Sequence, residues 1–486
     1  MSTVRFTLNG SPVEVHDLPG TTTLLRYLRE HAGLVGTKEG CAEGDCGACT
    51  VAILEDRPGA PPAWRAVDAC LIFLPMVHGR QVLTVEGLAD AQGQPHPVQQ
   101  AVVGLRASQC GFCTPGVVMS LFEASYRDDL DPGDRAALDE QMAGNLCRCT
   151  GYGPIRQAVA ELAGSRPDDR FEAARQTFEA HTPQLALQAG GQAYFQPGSL
   201  AEVYEIRAEH PDAVLVAGGT DLALEVTQRQ RHFPVVIGLE ALHELRSFRR
   251  EPDGWRLGAG LSLTRLGELM AGELPALDKL LRWFGARQIR NRGTVGGNLC
   301  NASPVGDLAP LLLALDATAV AVGPRGERHI PLREFFPGYR QTALASDELL
   351  LRVEVPKPPP GAFVASYKVS KRRELDISAV SAGMLVQLDA QGAVATLRLA
   401  YGGVAATPVR ALHTERRLQG RPWTEAELQG AVHHLEQDFE PISDHRGSAR
   451  YRRLLARNLL LGFALEYPLP DRDLLQPFPT GTVRTS

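Results

Sequence analysis

Eight of the nine cysteines in this 486-residue chain lie before residue 150, and only Cys300 lies beyond it. That clustering constrains the fold more than any other feature. Disulfides stabilising a chain of this length would be spread along it, whereas thiols concentrated in one stretch of a reduced protein serve more often as metal ligands. The N-terminus argues for a reducing compartment. It has neither a basic region followed by an apolar core nor a twin arginine, and "VRFTLNGSPVEV" reads as strand, turn and strand about Asn9-Gly10. A cytoplasmic location is expected. The longest apolar stretch, Leu308 to Val322, is broken by Asp316 and is too short to span a bilayer, so no membrane association is expected. A net charge of −6 offers no basic footprint for nucleic acid. Length alone argues for roughly two to four domains.

Cys41, Cys46, Cys49 and Cys70 follow the pattern C-x4-C-x2-C-x20-C, with Gly40, Gly44 and Gly47 among the first three. A two-iron cluster needs four thiolates arriving from different directions, three from one loop and the fourth from a distant strand or turn. The glycines let the backbone curl and bring N–H groups near the sulfurs, offsetting the cluster's negative charge. This is the spacing of plant-type 2Fe–2S ferredoxins. Zinc would favour paired C-x2-C arms, and this set has one.

Cys110 and Cys113 lie in "SQCGFCTPGVVMS", and Cys147 and Cys149 in "NLCRCTGYGPIRQAV". Each segment is a cysteine pair, then Thr, then Gly and Pro in either order, then an apolar helical run. Two helix N-termini meeting at one point would gather four thiolates where the positive dipole ends favour an anionic cluster. Zinc remains the alternative for this set taken alone, although C-x-C fits its usual arms poorly.

Other segments place these motifs. "TTTLLRYLREHAGL" reads as a helix with a threonine N-cap. Pro97 reads as the first position of a helix carrying Val98, Ala101, Val102 and Leu105 on one face. "GSRPDDRFEAARQTFEAHTPQ" reads as an exposed linker, and α/β texture begins near residue 190. No G-x-G-x-x-G is present, since "GAGLSL" ends in Leu263 where glycine is required. "LVAGGTDL" puts two glycines after a strand, where their N–H groups suit a pyrophosphate nest, and "RGTVGGNLCNASPVGDLAP" suits a loop wrapped round a polar ligand. Either is also compatible with an ordinary turn. Cys300 reads as a small packed thiol. "KRRELD", Lys371 to Asp376, reads equally as a solvated loop.

With both cysteine sets in this order, and with "CGFCTPG" and "NLCRCTGY", the chain resembles the iron–sulfur part of the molybdenum hydroxylases. Over nearly its full length it is similar to the iron–sulfur/FAD subunit of their two-chain xanthine dehydrogenase branch. The resemblance implies an α+β multidomain fold. A β-grasp 2Fe–2S ferredoxin domain is expected at 1–80, a four-helix 2Fe–2S domain at 81–164 and, after the linker at 165–188, an α/β FAD-binding domain at 189–360 and a C-terminal α+β domain with tail at 361–486. It assigns one cluster to Cys41, Cys46, Cys49 and Cys70, and the other to Cys110, Cys113, Cys147 and Cys149. Carried over by position, the FAD contacts fall at Leu215, Val216, Ala217, Gly218, Gly219, Thr220, Asp221, Leu222, Phe284, Thr294, Val295, Gly296, Gly297, Asn298, Asp307, Leu350 and Lys368. Gln109 matches a glutamine that contacts the molybdopterin, and the charged run falls at the edge of the flavin.

Nothing in the chain resembles a pterin-binding core, so molybdopterin and the substrate site are expected on a large partner subunit. The expected assembly is a heterodimer, doubled into a dimer of heterodimers. The implied activity is oxidation of hypoxanthine and xanthine to urate. Electrons pass from molybdenum to the helical-domain cluster, then to the ferredoxin-like cluster, then to FAD and NAD+. The alternatives are another molybdenum hydroxylase acting on an aldehyde or N-heterocycle, a stand-alone flavin/iron–sulfur reductase, and a non-catalytic redox sensor.

Overall fold

The computed structural model describes residues 3–178, 183–372 and 374–467. The first unit is a β-grasp sheet. β1 (Val4–Leu8) and β2 (Ser11–Val15) form a hairpin whose turn residues Asn9 and Gly10 are both left-handed, with φ of 51° and 85°, as the strand twist demands of a two-residue turn. α1 (Leu24–Glu30) starts at Thr23, whose side chain accepts from the Arg26 N–H, and it buries Leu24, Leu25 and Leu28. With β3 (Thr50–Arg57), β4 (Ala60–Asp68) and β5 (Gln81–Leu83), the sheet order is β2-β1-β5-β3-β4.

The second unit contains α2 (Pro97–Gly104), α3 (Thr114–Ser125), α4 (Arg135–Met142) and α5 (Gly153–Leu162). α3 is buried along nearly its whole length, so it is the unit's central element. Pro97 stands in the first turn of α2, and Val98 and Val102 face inward. The stretch read as an exposed linker is partly helical: α6 (Arg170–Thr177) is capped by Asp169 and packs onto the second unit. Phe171 supplies the reason. It is buried in an aromatic cluster with Trp64, Phe122 and Tyr126, and its carbonyl accepts from the Trp64 indole at 3.1 Å. Charge hid this one apolar anchor in the sequence.

The third unit opens with β6 (Leu185–Ala189), β7 (Gln192–Gln196), α7 (Leu200–Glu209), β8 (Val214–Val216), α8 (Leu222–Thr227) and β9 (Val235–Gly238). Its sheet order is β6-β7-β9-β8, with β7, β9 and β8 parallel. This sheet shares one apolar core with the β-grasp unit, where Tyr194, Val216 and Val236 join Leu28, Leu71 and Phe73. The unit continues through β10 (Phe248–Glu251), β11 (Gly254–Gly258), α9 (Leu263–Met270), α10 (Pro275–Arg282), α11 (Arg287–Arg290), α12 (Val295–Cys300) and α13 (Leu308–Ala314). β12 (Thr318–Gly323), β13 (Gly326–Pro331) and β14 (Leu349–Pro356) complete an antiparallel sheet of order β10-β11-β14-β12-β13.

The last unit is a meander, β15 (Phe363–Val369), β16 (Val380–Leu388), β17 (Val394–Gly402) and β18 (Val409–Arg410), followed by α14 (Leu412–Leu418), α15 (Glu425–Ala431), α16 (Leu435–Asp438) and α17 (Ala449–Glu466). Gly383 of β16 lets α13 lie directly on the sheet, because a methyl there would sit 2.5 Å from the Leu311 backbone. Among the described residues no helix is long and apolar enough to cross a membrane.

Candidate redox site: two cysteine centres and a glycine-lined groove

Cys41, Cys46 and Cys49 lie on the loop between α1 and β3, and Cys70 follows the end of β4. The loop curls through left-handed backbone at Ala42, Gly44 and Gly47. The four thiols meet in two pairs: Cys49 and Cys70 have sulfurs 3.4 Å apart, and Cys46 is hydrogen-bonded to Cys41. The N–H groups of Glu43 and Asp45 also point at the Cys41 sulfur, at 3.5 and 3.3 Å. The Cys46 thiol and then these donors pull Cys41 down to about 5, against the effect of burial. Asp68, fully buried beside Cys49, is pushed up to about 8 by burial and by the charge of Cys41.

The second set sits where α3 and α5 begin. Cys113 caps α3, and Tyr152, left-handed at φ 66°, precedes α5 while its hydroxyl accepts from the Cys147 N–H at 2.9 Å. Again the thiols pair, Cys110 with Cys149 and Cys113 with Cys147. Thr150 Oγ1 lies 3.1 Å from the Cys147 sulfur. None of the nine cysteines forms a disulfide. Two facing pairs of free thiols, with backbone donors aimed at sulfur, suit a bridged two-iron centre in which each iron takes two thiolates. Cys110, Cys149 and the adjacent Gln109 are exposed, whereas Cys49 and Cys70 are buried.

The two cysteine loops touch. The Leu146 N–H donates to the Cys46 carbonyl at 3.0 Å, and Asn145 Nδ2 donates to the Gly47 carbonyl at 3.1 Å. Gly116 of α3 has no room for a side chain, because a methyl there would overlap that same carbonyl.

A groove of about 550 Å3 runs between the two halves of the third unit. Leu215 to Leu222 form one wall, and Phe284, Thr294, Gly297 and Asn298 line the other. The walls meet so closely that a methyl on Gly218 would overlap the Arg292 carbonyl. Thr294 Oγ1 accepts from the Gly297 N–H at 2.9 Å and caps α12. Asn298 Oδ1 is buried without a hydrogen-bond partner, an orphan that a polar ligand in the groove would satisfy. A glycine-lined cradle, an aromatic face at Phe284 and an unpaired acceptor fit FAD.

Five of the residues expected to touch flavin are not among those lining this groove. Val295 and Gly296 are buried, with the Gly296 N–H bonded to the Ala259 carbonyl, and Leu350 lies in the core. Lys368 Nζ and Asp307 Oδ2 form a buried ion pair at 2.8 Å, and Ser378 Oγ donates to the other Asp307 oxygen at 2.5 Å. Cys300, read as a packed thiol, lies on the groove wall: the residue as a whole is exposed, yet the atoms around its thiol shield it enough to push it up to about 12. Ile377 lines the groove mouth, while Arg372 pairs with Asp45 of the first cysteine loop at 3.1 Å, so the charged run lies between the two sites. Residue 373 of that run lies outside the described residues.

The segment Arg287–Asn291 carried no motif in the sequence, yet it packs against both cysteine units. Arg287 pairs with Glu123 of α3 at 3.1 Å, Arg290 pairs with Glu140 of α4, and Asn291 Nδ2 donates to the Ala66 carbonyl at 2.8 Å. A short run of charged and amide residues resembles any surface turn until its partners are known.

Comparison with known proteins matches this geometry. Residues 6–73 match the 2Fe-2S iron-sulfur cluster binding domain and 84–160 the [2Fe-2S] binding domain. Residues 186–358 match the FAD binding domain in molybdopterin dehydrogenase, and 365–467 the CO dehydrogenase flavoprotein C-terminal domain. The chain is therefore an oxidoreductase with two 2Fe–2S-binding domains and an FAD-binding domain. It belongs to the molybdenum hydroxylase family and carries that family's iron–sulfur and flavin portion. It is 35% identical to xanthine dehydrogenase of Emericella nidulans and 33% identical to xanthine dehydrogenase/oxidase of Rattus norvegicus, over 95% of this chain in each case. It spans 38% of the length of each of those relatives. Among solved structures, carbon monoxide dehydrogenase of Hydrogenophaga pseudoflava matches with a TM-score of 0.53 and 29% identity, over 56% of this chain and 96% of that one. Quinoline 2-oxidoreductase of Pseudomonas putida matches with a TM-score of 0.52 and 28% identity, over 56% and 95% in the same sense.

Proposed function

We propose that this chain is the electron-transfer part of an NAD+-dependent xanthine dehydrogenase, working with a large molybdopterin-binding partner that oxidises hypoxanthine and xanthine to urate. Cys110, Cys113, Cys147 and Cys149 hold the outer 2Fe–2S cluster. Cys41, Cys46, Cys49 and Cys70 hold the inner one, and the groove holds FAD. When bound, the clusters supply single-electron steps and the flavin pairs those electrons for hydride transfer.

The observation that carries this reading is the contiguous order of the three sites. The outer loop is open to the surface, where a partner can bring its pterin against Gln109. Its Leu146 bonds to Cys46 of the inner loop. Leu71, next to Cys70, in turn abuts Gly219 of the groove, where a methyl would lie 2.7 Å from the Leu71 carbonyl. This order supports a relay from a partner-facing surface to the flavin. Phe284 and the glycine backbone orient the cofactor. The names of the relatives favour xanthine over an aldehyde.

Purification of the native complex tests this reading. It should contain a second, larger chain with molybdenum, and should reduce NAD+ with hypoxanthine and xanthine faster than with an aldehyde. A chain that purifies alone and passes electrons from NADH to a soluble carrier would instead be a stand-alone reductase.

A further inference from the structure

Gln288 stands where the groove-bearing unit meets both cysteine loops. It is 1% exposed. Its Nε2 lies 3.3 Å from Thr50 Oγ1, 3.1 Å from Asn145 Oδ1 and 3.1 Å from Ser120 Oγ. Thr50 follows Cys49 directly, Asn145 stands shortly before Cys147, and Ser120 lies on the helix that Cys113 caps. The amide has two protons and three neighbouring acceptors, so its donor side is engaged, while its Oε1 is buried without a hydrogen-bond partner. The next residue, Ile289, lines the groove. A glycine accommodates the arrangement: a side chain on Gly144 would overlap Gln288 Oε1. The flanking ion pairs of Arg287 and Arg290 reach only the helical unit, whereas this amide reaches both cysteine loops.

We propose that Gln288 is a positioning residue for electron transfer, holding the groove and the two cysteine centres at fixed separations. The proposal rests on the assignment of clusters and flavin made above. Electron transfer between redox centres depends steeply on their separation, and a side chain that clamps three units at one point removes the slack that interdomain motion would introduce. The three hydroxyl and amide partners are all buried, so no water replaces a lost contact without rearrangement.

The native complex carrying Gln288→Met tests this. Methionine keeps the volume and removes the donors. Iron and FAD content are measured first; then the flavin is photoreduced by a laser flash and electron redistribution to the clusters is followed, together with the EPR spin–spin splitting of the fully reduced protein. The expected result is full cofactor content, slower redistribution and an altered splitting. Gly144→Ala displaces Gln288 without changing it and should give the same two changes. Either variant with full cofactors, unaltered redistribution and unaltered splitting overturns the proposal. A parent complex without iron or flavin overturns the assignment instead, so the two failures are distinguishable.

Discussion

Replacing Gly219 by alanine separates two costs that the structure places on one residue. Gly219 is left-handed, at φ 81°. The added methyl would lie 2.7 Å from the Leu71 carbonyl and 3.4 Å from Met76 Cε. The backbone conformation costs an alanine about 1 kcal/mol, and forcing a methyl into a filled contact costs about 1–3 kcal/mol. The sum, about 3 kcal/mol, falls on the groove wall. Relaxation moves that wall toward the space FAD occupies, so affinity should fall roughly a hundredfold, at about 1.4 kcal/mol per factor of ten. Gly272 is the control, with φ of 75° and nothing within 4 Å of the added methyl. Gly272→Ala should lose only about 1 kcal/mol of stability and bind FAD normally. The assay is titration of deflavinated protein with FAD, read by quenching of flavin fluorescence. Equal FAD affinity in Gly219→Ala and the parent would refute both the placement of the cofactor and the contact with Leu71.

Three further outcomes are expected. Cys49→Ser and Cys147→Ser should each remove one of two 2Fe–2S EPR signals and about half the iron; loss of both signals from either change would argue against separate centres. Burial alone would push the Glu268 carboxyl up, but the Arg65 and Arg57 guanidiniums outweigh it and hold it near about 2. Glu268→Gln should therefore cost about 3 kcal/mol at neutral pH by leaving Arg57, Arg65 and Arg265 crowded together. A depressed carboxyl contributes fully above its unfolded value of 4.5 and loses that contribution as pH falls through the folded value, so the stability gap in urea unfolding should narrow as pH drops below 4.5. A constant gap across the acid range would mean that the ion cluster is not the source. Lys368→Met should lower the flavin midpoint potential and, by stranding the buried Asp307 carboxylate, cost about 3–5 kcal/mol of stability. An unchanged potential would confine Lys368 to its ion pair with Asp307.

The cysteine loops were legible because thiolate geometry demands fixed spacings and glycines, and Asn9-Gly10 and Thr23 announced a turn and a cap by their own local chemistry. The groove's two glycine segments were visible as turns, and resemblance rather than spacing gave them a ligand. Three things were hidden. Phe171 anchors a helix inside a charged stretch, where composition points outward. Leu350, Val295 and Gly296 match the flavin segments by position, yet they are not among the residues lining the groove. Gln288 acts only through residues distant in sequence, and an amide's partners leave no local periodicity.

The two thiol sets differ in how far the fold shuts them off from solvent. Cys49 and Cys70 lie in the core that the ferredoxin-like sheet shares with the groove-bearing unit, beneath Leu71 and beside α8. On the proposed assignment these two ligands are shielded by protein, whereas Cys41 and Cys46 of the same set are half-buried. Cys110 and Cys149 stay open to the surface after folding. The outer centre is thus the one that solvent reaches more readily until a partner covers it.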